Sequence, residues 1–202
     1  MARLREFDED KAIDAAVDCF WARGYEATSV RELADCMGIS GASLYNAYGD
    51  KRALFVTALE RYSDRSMRTR IVRVERDHAP KEAIAAFLAE IIERSLADRN
   101  RKGCLLVNSA LDVAPHDAGL AEMVAGYLGE LRAFFRRNIV AARDAGVAPA
   151  GLDADEASGH FLGVLMGIRV LARATPNRKL LEAVARPALR LLDFPPSRRV
   201  RQ

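Results

Sequence analysis

Residues 24–51 hold two short helical windows separated by a tight joint at Gly38-Ile39, in a chain whose other apolar repeats run long. Ser29-Val30-Arg31-Glu32 has the form of a capping box, in which a hydroxyl and a carboxylate three residues later satisfy free helix amides. The helix it opens runs to Met37, because Gly38 suits a left-handed C-cap. Ser40 is a good N-cap for a second short helix containing Ala42, Leu44, Tyr45 and Ala47. Leu33, Ala34, Met37, Ile39 and Leu44 can then share one apolar seam. Two short helices joined in this way predict a helix-turn-helix, a motif whose second helix enters the major groove N-terminus first.

The rest of the chain is helical by periodicity. Ile13, Val17, Phe20 and Gly24 recur one turn apart, with Asp8 or Asp10 available as the cap. Ile84, Phe87, Leu88, Ile91, Ile92 and Leu96 follow the helical rule, and so do Leu120, Met123, Val124, Tyr127, Leu128, Leu131, Phe134 and Phe135. No segment alternates apolar and polar residues between turn signals, so no strands are expected. The fold class is all-α, with eight to ten helices. Half of the 202 residues are hydrophobic, ample for a core, and the net charge of +3 does not by itself announce a nucleic-acid partner. Three widely spaced cysteines suit a reducing compartment better than a disulfide framework. The N-terminus has no apolar leader and the apolar run at 161–168 is too short for a membrane span. A cytoplasmic protein without membrane attachment is expected.

Ala-x-x-x-Phe-x-x-x-Gly-Tyr-x-x-Thr-Ser-Val over 16–30, then Leu33-Ala34, Gly38-Ile39-Ser40, Leu44-Tyr45 and Asp50-Lys51-x-x-Leu54 resemble the TetR family of transcriptional regulators. The resemblance covers the first quarter of the chain by motif and the remainder by length and helical layout. It implies a three-helix DNA-binding unit at 5–65, followed by a helical domain at 66–202 that binds an inducer and dimerises. It further implies a repressor that holds a palindromic double-stranded operator as a homodimer and is released by a small molecule. No cofactor follows from it.

Within that frame Thr28 and Ser29 lie at a helix N-terminus suited to a phosphate, while Tyr45 and Lys51 match positions that grip the DNA backbone. The N-terminus of the second helix, from Ser40, brings Gly41, Ala42, Ser43 and Asn46 to base edges. Ala42 can touch a thymine methyl, Ser43 can bond to several bases, and Asn46 can pair with adenine. Arg3 and Arg5 can form an arm reaching phosphates or the minor groove. Two features depart from the pattern. Residues 1–52 carry seven basic side chains against ten acidic ones, and Gly41 and Ala47 stand where relatives often carry a basic residue and an aromatic or histidine. The acids of the first helix need not face DNA, which would leave the motif residues to supply the local positive face.

Gly159, Gly163 and Gly167 recur every four residues and form a shallow stripe that admits close helix approach. The family resemblance implies that the helices around 153–175 and 177–192 form the dimer's bundle; the alternative is that they pack only within one chain. An inducer pocket is expected among the middle helices, with Phe87, Ile91, Leu105, Val107, Met123, Tyr127, Leu131 and Phe134 as candidate walls. Asn108 and Asp112 either orient a ligand or form a solvent face. Cys104, following Arg101 and Lys102 at a helix start, is either a thiol sensor of electrophiles or oxidants or a small packing residue. Cys19 and Cys36 read as packing or as incidental. His78, His116 and His160 lack metal-ligand spacing, and neither a phosphate loop nor a nucleophile elbow is present. An enzyme is not expected.

Overall fold

The computed structural model describes residues 7–193, and the arginines expected to form an N-terminal arm, Arg3 and Arg5, lie outside them. Ten α-helices occur among the described residues: α1 Glu9–Arg23, α2 Val30–Met37, α3 Gly41–Tyr48, α4 Lys51–Ser63, α5 Thr69–Asp77, α6 Pro80–Ala97, α7 Leu105–Asp112, α8 Ala118–Asp144, α9 Ala154–Ala174 and α10 Arg178–Arg190. A single π-helical stretch, Asp64–Arg68, joins α4 to α5 without a break. No strand is present among the described residues.

Local chemistry sets the helix starts. Asp8 accepts from the Lys11 amide at 3.2 Å and so caps α1. Ser29 and Glu32 complete the capping box of α2. Ser40, Asp50, Asp153 and Asn177 cap α3, α4, α9 and α10, each through its side-chain oxygen. Pro80 begins α6 at a position where a missing amide costs nothing. At the other end of α2, Gly38 adopts φ 66° and donates its amide to the Ala34 and Asp35 carbonyls. A side chain there would force a strained left-handed backbone, which is why glycine marks the turn.

The chain divides into two compact units. The first comprises residues up to Thr69 together with Lys102–Tyr127, a stretch that the sequence reading assigns to the C-terminal domain. The second comprises Arg70–Arg101 with the residues from Leu128 onward. In the first, Phe20, Leu33, Leu44, Leu54, Phe55 and Leu59 are sealed from solvent and bind α1 to α4 into one core. The Phe20 and Phe55 rings meet edge-on at 4.9 Å. In the second, Phe87, Phe134, Phe135 and Phe161 form a chain of rings with centroids 4.9–5.4 Å apart. Phe134, a candidate ligand contact, is wholly buried in that cluster. Helices α9 and α10 pack on each other and on α6 in the same unit.

Asp14 of α1 shows how charge is used in the first unit. It takes the Arg61 guanidinium at 2.8 Å and also pairs with Arg65. The Arg61 hydrogen bond first, with help from Arg65, holds its carboxyl below the usual range. A depressed carboxyl contributes stability that is complete above its unfolded value, near pH 4, and is lost as pH falls through the lowered one. Asp14→Asn should therefore cost about 1 kcal/mol at neutral pH, the pair being about one-third exposed. In urea unfolding the gap from wild type should narrow below about pH 4; a gap independent of pH would contradict the assignment.

Candidate nucleic-acid interface

Helix α3 has only eight residues, too few to persist alone. It is held by one buried side chain, Leu44, which seats against the Leu33, Ala34 and Met37 side of α2 and the core of α4. Fixing Leu44 inward turns Ala42, Tyr45 and Asn46 outward, since these three stand one turn apart on the opposite face. Tyr45 is 53% exposed, so its ring and phenol are open to solvent. Gly41 and Ser43 are half-buried at the flank. The structure thus brings together Gly41, Ala42, Ser43, Tyr45 and Asn46 as one exposed, uncharged helix face, with Ser40 at its N-terminus.

The hydroxyls at this end are partly committed. Ser40 accepts the Ser43 amide at 3.1 Å and shares a 2.9 Å hydrogen bond with the Ser43 hydroxyl. Ser29 donates its hydroxyl to Glu32, whose other carboxylate oxygen pairs with Arg23. These bonds, the Ser29 amide and hydroxyl foremost, hold Glu32 below the usual carboxylate range. Thr28 departs from expectation. Its side chain is completely buried, its hydroxyl donates to the Gly24 carbonyl at 2.6 Å, and its amide bonds to Tyr25. It shapes the entry to α2 and offers no surface to a phosphate. The sequence signal that placed it beside a helix N-terminus was sound, but side-chain direction depends on the packed Gly24–Tyr25 corner.

Lys51, first residue of α4, places its ammonium 4.4 Å from the Tyr25 ring centroid and 3.4 Å from the Glu26 carbonyl. It is the cation anchored closest in sequence to α3. Arg31, on the exposed side of the first turn of α2, is a second candidate that the sequence reading did not assign. Arg52 is less available, because Asp117 takes its guanidinium in a bidentate pair at 2.6 and 2.9 Å. That pair, with the Leu120 amide, pulls the Asp117 carboxyl far below its ordinary range. The acidic excess of the N-terminal segment is largely spent: Asp10 and Asp14 face Arg61, and Asp18 faces Lys102 at 3.2 Å.

The expected ligand residues are divided between the two units. Cys104, Asn108 and Tyr127 belong to the first unit, and Phe134 to the core of the second. Asn108 donates to the Lys102 carbonyl at 2.9 Å, while Tyr127 is buried with the Arg68 guanidinium over its ring. The Cys104 sulfur accepts the Tyr62 hydroxyl at 3.5 Å. Lys102, expected to activate that thiol, directs its ammonium to the Trp21 ring and to Asp18. A cavity of about 280 Å³ lies elsewhere in the second unit, between α6 and α10, walled by Leu88, Ile92, Ala185 and Leu189 and rimmed by Glu93 and Arg178. No group of His, Cys, Asp and Glu suited to a metal occurs among the described residues, and no described helix is long and apolar enough to cross a membrane.

Comparison with known proteins bears on this geometry. The family model described as bacterial regulatory proteins, tetR family, matches residues 12–58, and that of the tetracyclin repressor-like C-terminal domain matches residues 80–188. The chain is 30% identical over 195 residues to the HTH-type transcriptional regulator YezE of Bacillus subtilis, spanning 96% of this chain and 100% of that one. It is 25% identical to the HTH-type transcriptional repressor ComR of Escherichia coli, over 94% of this chain and 90% of the other. Among solved structures, a cysteine mutant of the TetR family regulator CifR, complexed with 26-bp double-strand operator DNA, is similar with a TM-score of 0.83. Its identity is 34%, covering 93% of this chain and 98% of that one. The helix-turn-helix built on Leu44 lies inside the first matched stretch and the ring-packed helices inside the second, so the chain belongs to the TetR family of DNA-binding transcriptional regulators, a family of regulators and not of enzymes.

Proposed function

We propose that this protein is a homodimeric repressor that holds a palindromic operator through α3 and lets it go when a small molecule binds. The observation that carries the reading is the α3 face: Ala42, Tyr45 and Asn46 are exposed on a helix fixed from behind by Leu44. Such a face can enter a major groove without rearranging the core. Asn46 offers both halves of an amide to an adenine edge, Ala42 a methyl to thymine, and Ser43 a hydroxyl. Tyr45, Lys51 and Ser29 flank the groove, where they would contact phosphates and set register without reading sequence. Support comes also from relatives, since CifR is described with operator DNA and ComR as a repressor.

The dimer reading rests on α9 and α10. A side chain added at Gly159, Gly163 or Gly167 would meet nothing within 4 Å. The stripe therefore faces away from its own unit, and three glycines inside a helix, each costing about 1 kcal/mol against alanine, need some compensation. Val170 on α9, with Leu180 and Leu191 on and just after α10, adds exposed apolar surface. A second copy of α9 and α10 laid on this surface would give the four-helix bundle that the family resemblance implies. For the inducer, the α6–α10 cavity supplies apolar walls with a charged rim, the composition expected of a small-molecule site. The thiol-sensor reading at Cys104 gains no support, because Lys102 is engaged with Trp21 and Asp18.

Mobility-shift titration against duplex upstream of the protein's own transcription unit should give salt-sensitive, two-fold binding, and its absence rejects the reading. Tyr45→Ala and Lys51→Ala should weaken binding to every sequence alike, with Lys51→Ala also lowering the salt slope by about 1. Asn46→Ala should relax discrimination at one base pair by about 1–3 kcal/mol; unchanged binding in all three variants would disprove the contact assignment. Gly163→Leu should shift sedimentation from dimer to monomer while leaving the helical circular dichroism intact, and a persistent dimer would contradict the proposed interface.

A further inference from the structure

Cys19 and Cys36 are seventeen residues apart in sequence, yet their sulfurs lie 2.7 Å apart. Cys19 sits on α1 and Cys36 on α2, so the contact spans two helices of the first unit. It is not an isolated approach. One turn further along α1 and one turn back along α2, Arg23 and Glu32 form an ion pair, giving two rungs between the same two helices. Both rungs lie along the same crossing of α1 and α2, which also packs through the buried Ala16, Phe20, Leu33 and Met37. A disulfide requires about 2.05 Å between sulfurs, so closure asks for a movement well under 1 Å.

The two thiols differ in a way that suits sequential chemistry. Cys36 is exposed, within reach of a dissolved oxidant, whereas Cys19 is 5% exposed and faces it from the core side. Burial first, then the neighbouring Cys36, raises the Cys19 thiol, which leaves Cys36 as the sulfur that meets the oxidant first by its exposure. Simple packing of two small residues at a helix crossing accounts for the burial of Cys19. It does not account for an exposed cysteine placed within bonding range of it.

We propose that Cys19 and Cys36 are a reversible dithiol–disulfide site, oxidised by a hydroperoxide and tying α1 to α2. The Cys36 thiolate attacks one peroxide oxygen, the O–O bond breaks, and the departing alkoxide takes up the proton that left Cys36. Cys36 is now a sulfenic acid, oxidised by two electrons. The Cys19 sulfur attacks the Cys36 sulfur, the S–O bond breaks, and hydroxide leaves with the Cys19 proton as water. Two thiols and one hydroperoxide thus give one disulfide, one alcohol and one water. The bond closes a short loop that contains the whole start of the helix-turn-helix, and it restrains the unfolded chain more than the folded one. Transient disulfides of this kind are compatible with a reducing compartment. The proposal makes no use of DNA binding and stands or falls separately from the reading above.

The test uses the full reduced chain, a few equivalents of hydrogen peroxide, quenching by alkylation, and intact-mass and peptide mapping. Expected are loss of two hydrogens, a linked Cys19–Cys36 peptide, alkylation at Cys104 alone, and complete reversal by dithiothreitol. Oxidation should also raise the melting temperature of wild type and of Cys104→Ser but leave that of Cys36→Ser unmoved. Cys19→Ser should leave a sulfenic acid on Cys36 that dimedone traps. If that variant fails to fold, Cys36→Ser, altered at an exposed position, still decides the matter. The proposal is overturned if Cys36 proceeds to sulfinic acid without linking to Cys19, if it cross-links two chains instead, or if Cys36→Ser loses the same two hydrogens.

Discussion

Burial of one side chain, Leu44, decides what the N-terminal unit can do. An eight-residue helix with no charged residue has little intrinsic stability. What keeps α3 in place is Leu44 sealed among α2 and α4, the Ser40 cap at its start and the Gly38 turn that aims it. The exposed face follows from that burial: once Leu44 points inward, helical geometry leaves Ala42, Tyr45 and Asn46 no direction but outward. The α1–α4 core of Phe20, Leu54, Phe55 and Leu59 then acts as the rigid support that a reading surface needs.

Electrostatics modifies that picture in an instructive direction. By composition the first 52 residues are acidic, the opposite of what a DNA-binding unit should advertise. The acids of α1 are nonetheless matched by Arg61, Arg65 and Lys102, residues outside that stretch. Counting charge along a segment therefore misjudges the field at a surface, because the relevant partners come from elsewhere in the chain. The uncharged α3 face is left to neighbours such as Lys51 and Arg31 for positive potential, and shape and hydrogen bonding carry a larger share of any recognition.

What was legible beforehand follows a physical divide. The Ser29–Glu32 box, the Ser40 cap and the Gly38 turn were all readable, because each is completed by atoms within about four residues. The two short helices and the all-helical fold followed from them and from periodicity. Thr28, Phe134 and the Cys19–Cys36 pair were not readable. Whether Thr28 faces solvent depends on the corner it packs into. Phe134 obeys the same periodicity whether it lines a core or a cavity. Two cysteines seventeen residues apart meet only because α1 and α2 cross where they do. The π-helical stretch at Asp64–Arg68 likewise has no local signature in the sequence.

The central claim is that α3, presented by Leu44, is the surface that meets duplex DNA. Backbone amide NMR of the full chain, titrated with a duplex from its own upstream region, addresses that claim residue by residue. The account predicts that the largest perturbations fall on Ser40–Tyr48 and Lys51, and that the Leu44 amide exchanges slowly both with and without DNA. Perturbations confined to α6–α10, with α3 unmoved, would contradict it.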